Sequence, residues 1–261
     1  MNSVPQTFSS ASDDEIILAE DMTFSPLAQE SNIEWLLCRH ASSGETFVLA
    51  SASNEESISQ VTQLLKNEFA LRGRLSELWS LKPQKQTHYQ GRYALIYRAF
   101  NYRTLADVLC MPPGGIVEFL NYAARLCTTL SLAQQQGLVH GDIKPANFFF
   151  SDDGAVRLGG FGLSAVHNDQ LPQPRLPVAG GTLAYMSPEH TSRSAHPVSR
   201  ISDLYSLGIV LYELLTGKLP YGTLEGGQAA WVHHHIASEA PAPPLLRSDV
   251  SVVLSSILPR L

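Results

Sequence analysis

Lysine is absent from the beginning of the chain. The first is Lys66, and Arg39 is the only earlier Lys or Arg. Cysteine is scarce and scattered: Cys38, Cys110 and Cys127 make neither an even disulfide framework nor a C-x-x-C metal pair. Reduced thiols in a cytoplasm are the simplest reading. Charged residues make up only 16% of the 261 residues and include no basic stripe, which removes the electrostatic basis for nucleic-acid binding. No apolar run is long enough for a membrane span. The opening "MNSVPQTFSSASDDEIILAED" has no positive cluster followed by an apolar core, so it is not read as a secretory signal. The expected location is cytoplasmic.

The net charge of −6 is concentrated at the start. Asp13, Asp14, Glu15, Glu20 and Asp21 fall in residues 1–21, with no Lys or Arg among them. This acidic, Ser-rich stretch reads as a flexible tail. The alternative is that "EIILA" docks as a short strand. Beyond it, "MTFSPLAQ", "EWLLCRH" and "ETFVLAS" alternate and are rich in β-branched and aromatic residues, predicting three strands. Residues 54–78 predict a helix capped by Asn54, with Ile58, Val61, Leu65, Leu71, Leu75 and Leu78 on related faces. "HYQGRYALIYRAF" predicts a hairpin around Gly91. From residue 104 the pattern is helical: a short helix in "TLADVLC", a long amphipathic one before Gly137, and a nearly all-apolar one before Gly217. The expected fold is α+β, a small β-rich lobe at 22–100, a hinge at 101–103 and a larger helical lobe at 104–261.

"HGDIKPANFFF" (140–150) resembles the catalytic loop of protein kinases, H-R-D-x-K-P-x-N, with Gly141 for Arg. "GTLAYMSPE" (181–189) resembles the substrate-docking loop ending in A-P-E, with Ser187 for Ala, and "SDLYSLGIVLYELLTGKLPY" (202–221) the buried helix that supports the catalytic loop. Three motifs in the right order are a far stronger signal than any one. The resemblance spans roughly residues 22–258, is closest to bacterial Ser/Thr kinases, and implies a bilobal kinase-like fold lacking its last helix. It further implies Asp142 as the base that takes the substrate hydroxyl's proton, Lys144 as the group that steadies the moving phosphate, and Asn147 as a Mg²⁺ ligand. Thr182 matches a threonine that bridges this Asp and Lys. Asp203 matches a residue that holds the loop's backbone, besides being a favourable acid at a helix N-terminus. His140, Phe161 and Glu189 match structural positions, His140 reading as a core residue rather than a base.

The nucleotide side departs from the pattern. The phosphate cover G-x-G-x-x-G-x-V falls on Ala28, Glu30, Ile33 and Trp35, leaving no glycine to bring backbone N–H groups close to phosphate. Glu30 would set a negative charge beside a polyanion, and Trp35 would fill the adenine space. V-A-x-K reads Phe47-Val48-Leu49-Ala50, so the lysine is lost and Val48 adds bulk. Glu68 matches that lysine's partner and is read here as an ordinary exposed helix residue. D-F-G reads Gly160-Phe161-Gly162, and glycine offers a metal no side-chain oxygen. Asp152 and Asp153 belong to a turn and are not recruited.

These losses together predict a pseudokinase: a protein-binding or allosteric domain in bacterial signalling, with no cofactor. Its expected partners are proteins or further domains of a longer chain, not nucleic acid. The alternative is an active, divergent Ser/Thr kinase using ATP and Mg²⁺, with Asp142 as base and Asn147 on the metal. Gly141 removes the Arg that often pairs with a phosphorylated loop, which argues against that kind of switch. In "HHH" (233–235) neighbouring helical side chains diverge, which argues against a three-His metal site. "VSVVLSSILPRL" resembles the next-to-last helix of a kinase, and the expected lack of the helix after it predicts an exposed apolar patch near the C-terminus.

Overall fold

The computed structural model describes residues 9–12, 14–18, 21–30, 32–99, 102–151, 154–167, 182–191, 197–221, 227–238, 240–242, 250–251 and 254. The chain divides into two compact units: residues 1–77 with 81–102, and residues 78–80 with 103–261.

The first unit is one sheet and one helix. Its elements are β1 (Ser9–Ser12), β2 (Glu15–Ile17), β3 (Met22–Glu30), β4 (Ile33–His40), β5 (Thr46–Ala52), α1 (Ile58–Ala70), β6 (Pro83–Tyr89) and β7 (Arg92–Arg98), with strand order β1-β2-β6-β7-β5-β4-β3. The turn between β6 and β7 is Gln90-Gly91, both at positive φ (50° and 75°). That geometry matches the strand twist of a tight hairpin. Cross-strand register sorts the side chains by face. Leu36, Cys38, Phe47, Leu49 and Ile96 share one face and form a core cluster with Met22 and Ala94. Trp35, Leu37, Val48, Ala50, Leu95 and Tyr97 share the other.

Two expectations change here. The stretch read as a flexible acidic tail contains the β1–β2 hairpin, and β2 lies parallel to β6 through Glu15 and Gln86. This is the docking-strand alternative for "EIILA". The open edge of β6 supplies backbone partners, and Asp14 pairs with Arg72, which recovers part of the cost of ordering an acidic segment. The helix predicted over 54–78 is shorter, Ile58–Ala70, followed by a turn of 3₁₀ helix at Arg72–Arg74. Asn54 does not cap it directly; its Oδ1 accepts from the Ser57 amide in a turn ahead of the helix. Leu78 lies beyond the helix and is exposed.

The second unit holds β8 (Tyr102–Thr104), within which the division falls, α2 (Leu105–Leu109), α3 (Ile116–Gln135), β9 (Leu138–Val139), β10 (Phe148–Ser151), β11 (Val156–Leu158), β12 (Ala165–Val166), α4 (Arg200–Thr216) and α5 (Gly227–Ala237). Thr104 and Asp107 make a capping box for α2, and Ser199 and Ser202 make one for α4. The apolar run of α4 is buried from Ser206 through Tyr212. It ends at Gly217, at φ +71°, where a Cβ would lie 2.8 Å from Pro113. Two short ladders, β11-β10-β8 and β12-β9, frame the segment 140–147. No helix among the described residues is long and apolar enough to cross a membrane. The predicted terminal helix and its patch lie almost wholly outside the described residues, as do Asp152 and Asp153.

Candidate functional site

The segment between β9 and β10 is held from below by α4. Asp203, buried in the first turn of α4, accepts the amides of His140 (2.7 Å) and Gly141 (2.9 Å) on its two oxygens. Burial pushes this carboxyl up to about 7, and the two amide donors pull it back. His140 is buried, with its pKa lowered to about 4, chiefly by desolvation. Its neutral ring accepts the Asp142 amide on Nδ1 (3.2 Å), so Nε2 carries the proton donated to the Gly159 carbonyl (3.0 Å). The ring stands 4.9 Å from that of Phe161, which Trp79 meets on another side at 6.0 Å. His140 thus has a structural place, joining 140–142 to 159–161.

On this base the second unit gathers Asp142, Lys144, Asn147 and Thr182. Asp142 Oδ1 accepts the Thr182 amide (3.0 Å) and hydroxyl (3.2 Å). Its Oδ2 lies 3.4 Å from Lys144 Nζ and 3.3 Å from Asn147 Nδ2. Asn147 Nδ2 also donates to the Asp142 backbone oxygen at 2.7 Å. A carboxylate beside a buried ammonium, with an amide and a hydroxyl fixing its orientation, can take a proton from a hydroxyl and steady a nearby anion. Ser202 Oγ donates to Glu189 Oε2 at 3.3 Å, tying the docking segment to α4. His235 secures the same segment from α5, with one ring nitrogen 2.8 Å from the Leu183 carbonyl and the other 2.8 Å from Tyr205 Oη. Nothing local in the sequence singled out His235 from its two neighbours. No group of three or more His, Cys, Asp or Glu side chains placed to hold a metal ion occurs among the described residues.

In the first unit Ala28 is exposed and Glu30, Ile33 and Trp35 are half-buried. Ala28 pairs with Trp35, and Glu30 with Ile33, so after one register shift between Pro26 and Ala28 the hairpin ladder continues through the stretch that would be glycine-rich. Trp35 pairs with Ala50 across β4 and β5, and its ring lies 5.2 Å from that of Tyr97. Val48 and Ala50 are fully buried. The reading of Glu68 as an exposed residue is overturned. Glu68 is 5% exposed, and its Oε1 accepts from Tyr97 Oη at 3.0 Å. Desolvation raises its carboxyl to about 7 against the opposing pull of that hydroxyl. The cause is packing: α1 lies against β5 and β7, which carries the Glu68 face inward, and Tyr97 meets it there. Tyr97 was missed; the one available signal was the alternation of β7, which puts Tyr97 on the Ala50 face.

A protein kinase domain model matches residues 34–255. A probable serine/threonine-protein kinase of Clostridium acetobutylicum is 34% identical over 149 residues, 56% of this chain and 22% of that protein. PknB of Mycobacterium leprae is 35% identical over 160 residues, 59% of this chain and 24% of its own length. Pkn1 of Myxococcus xanthus is 32% identical over 151 residues, 56% and 21% respectively. The chain thus spans under a quarter of the length of these relatives. With the family model covering most of the chain and the kinase motifs gathered around Asp142, the chain belongs to the protein kinase domain family.

Proposed function

We propose that this kinase domain is a pseudokinase: a protein-binding or allosteric regulatory module in bacterial signalling, with little or no ATP binding. One observation carries the reading. The position that should offer a lysine to the nucleotide's phosphates is the fully buried Ala50, and the acid that would partner that lysine is satisfied by Tyr97 instead. Trp35, packed on the same tyrosine, adds bulk to that face of the sheet. Phosphate charge in a kinase is neutralised by just such a cation together with metal, and each such interaction is worth roughly several kcal/mol to the transition state. The peptide-side hydrogen bonds around Asp142 then serve to shape a surface for a protein partner. A thermal melt with Mg²⁺-ATP tests this: the melting temperature is expected to stay constant, and a saturable rise would overturn the reading.

A second reading is favoured by the arrangement of Asp142, Lys144, Asn147 and Thr182. It is an active Ser/Thr kinase in which Asp142 takes the hydroxyl's proton while Lys144 steadies the transferred phosphate. Phosphotransfer that is lost in Asp142→Ala would establish it. Absence of transfer across several metals and protein substrates would dismiss it.

A further inference from the structure

Kinase chemistry requires Mg²⁺, and the resemblance assigns it to Asn147 and to an aspartate at position 160. The residues present do not fit the ion. Gly160 has no side-chain oxygen and sits at φ +78°, where a side chain is strained. A Cβ built there would lie 2.7 Å from Asn147 Oδ1, 2.9 Å from its Cγ and 2.9 Å from its Nδ2. Real carbon atoms do not approach so closely, and Asn147 has little freedom to withdraw. It is 7% exposed and its side-chain Nδ2 donates to the Asp142 backbone oxygen at 2.7 Å, while its backbone carbonyl accepts the Gly159 amide at 2.9 Å and so fixes the main chain beside Gly160. The amide of Asn147 thus occupies the space that a side chain at 160 needs.

We propose that Gly160 and Asn147 are a mutually dependent pair: glycine makes room for an asparagine side chain that ties the loop directly to Asp142, so the loop keeps its shape without a metal. The pair deepens the pseudokinase reading, on which it rests. A carboxylate reinstated at 160 displaces Asn147 and loosens the loop instead of recreating a Mg²⁺ site.

The test is a double-mutant cycle followed by chemical and thermal unfolding, with Mg²⁺ alone as the probe ion. Gly160→Ala is expected to lower the melting temperature by several degrees when Asn147 is present, and by less than half as much in an Asn147→Ala background. Only the backbone strain then remains. Gly160→Asp is expected to be destabilised, with no recovery on adding millimolar Mg²⁺. Additive effects in the cycle, or a saturable Mg²⁺-dependent rise for Gly160→Asp, would overturn the pairing. Should Gly160→Asp not fold, the alanine cycle decides alone. No nucleotide is used, so ATP binding by the native chain would sink the pseudokinase reading, whereas additivity in the cycle would sink the pairing.

Discussion

Glu68 has no cation among its described partners, and its environment makes it a proton-binding group near neutral pH. Its carboxyl is raised from 4.5 to about 7 by burial, and Tyr97 donates to it at 3.0 Å. The folded state therefore holds this proton more tightly than the unfolded chain. The associated stability is complete below about 4.5 and is lost as pH rises through about 7. The loss is on the order of 3 kcal/mol at alkaline pH. Glu68→Gln keeps an acceptor for Tyr97 but cannot ionise. Its stability measured by urea unfolding is expected to fall less than the parent's as pH rises from 4.5 through about 7, the span between the unfolded and folded values. Parallel curves for the two proteins would refute the assignment. Glu68 was legible in the sequence as a matched position, but its burial was not. The match fixes its place along the helix, whereas its partner Tyr97 lies 29 residues away and is brought to it by packing.

At the scale of elements, α4 is the support on which the candidate site is assembled. Its apolar run made a buried helix foreseeable, and Ser199 and Gly217 mark its ends. What the helix holds follows from Asp203, which accepts two amides of the segment 140–141. Asp203→Ala would leave two buried N–H groups without acceptors and is expected to cost about 3 kcal/mol, read as a drop in unfolding midpoint. Asp203→Asn keeps one acceptor oxygen but opposes its NH₂ to the other amide, so it should fall between alanine and the parent. If alanine costs nothing, Asp203 is only a favourable helix-terminal acid. The hairpin at 9–17 shows the opposite case. Its composition suggested a tail, because composition does not reveal that the edge of β6 is open to receive a strand.

At the scale of the molecule, positions that depart from the kinase motifs occur in both units, each within its own packing. Ala50 lies among Trp35, Leu95 and neighbouring apolar residues in the first unit, and Gly160 against Asn147 in the second. Reverting identities is therefore not the same as reverting environments. Ala50→Lys combined with Gly160→Asp is expected to give no phosphotransfer from labelled ATP, because Trp35 still adds its bulk beside position 50 and an aspartate at 160 displaces Asn147 instead of recreating a metal site. Transfer by the double variant would show that two lost charges were the whole difference.

The sequence by itself determined the period of the main strands and helices, the three motifs that mark a kinase domain, and the absence of a lysine at 50 and an aspartate at 160. These are local facts, carried by side-chain identity and spacing. Only the tertiary structure decided which partners the remaining groups find: Tyr97 as the donor to Glu68, and the Asn147 amide against Gly160. Such partners are chosen when packing brings distant segments within hydrogen-bond reach, where a polar group buried without one is costly.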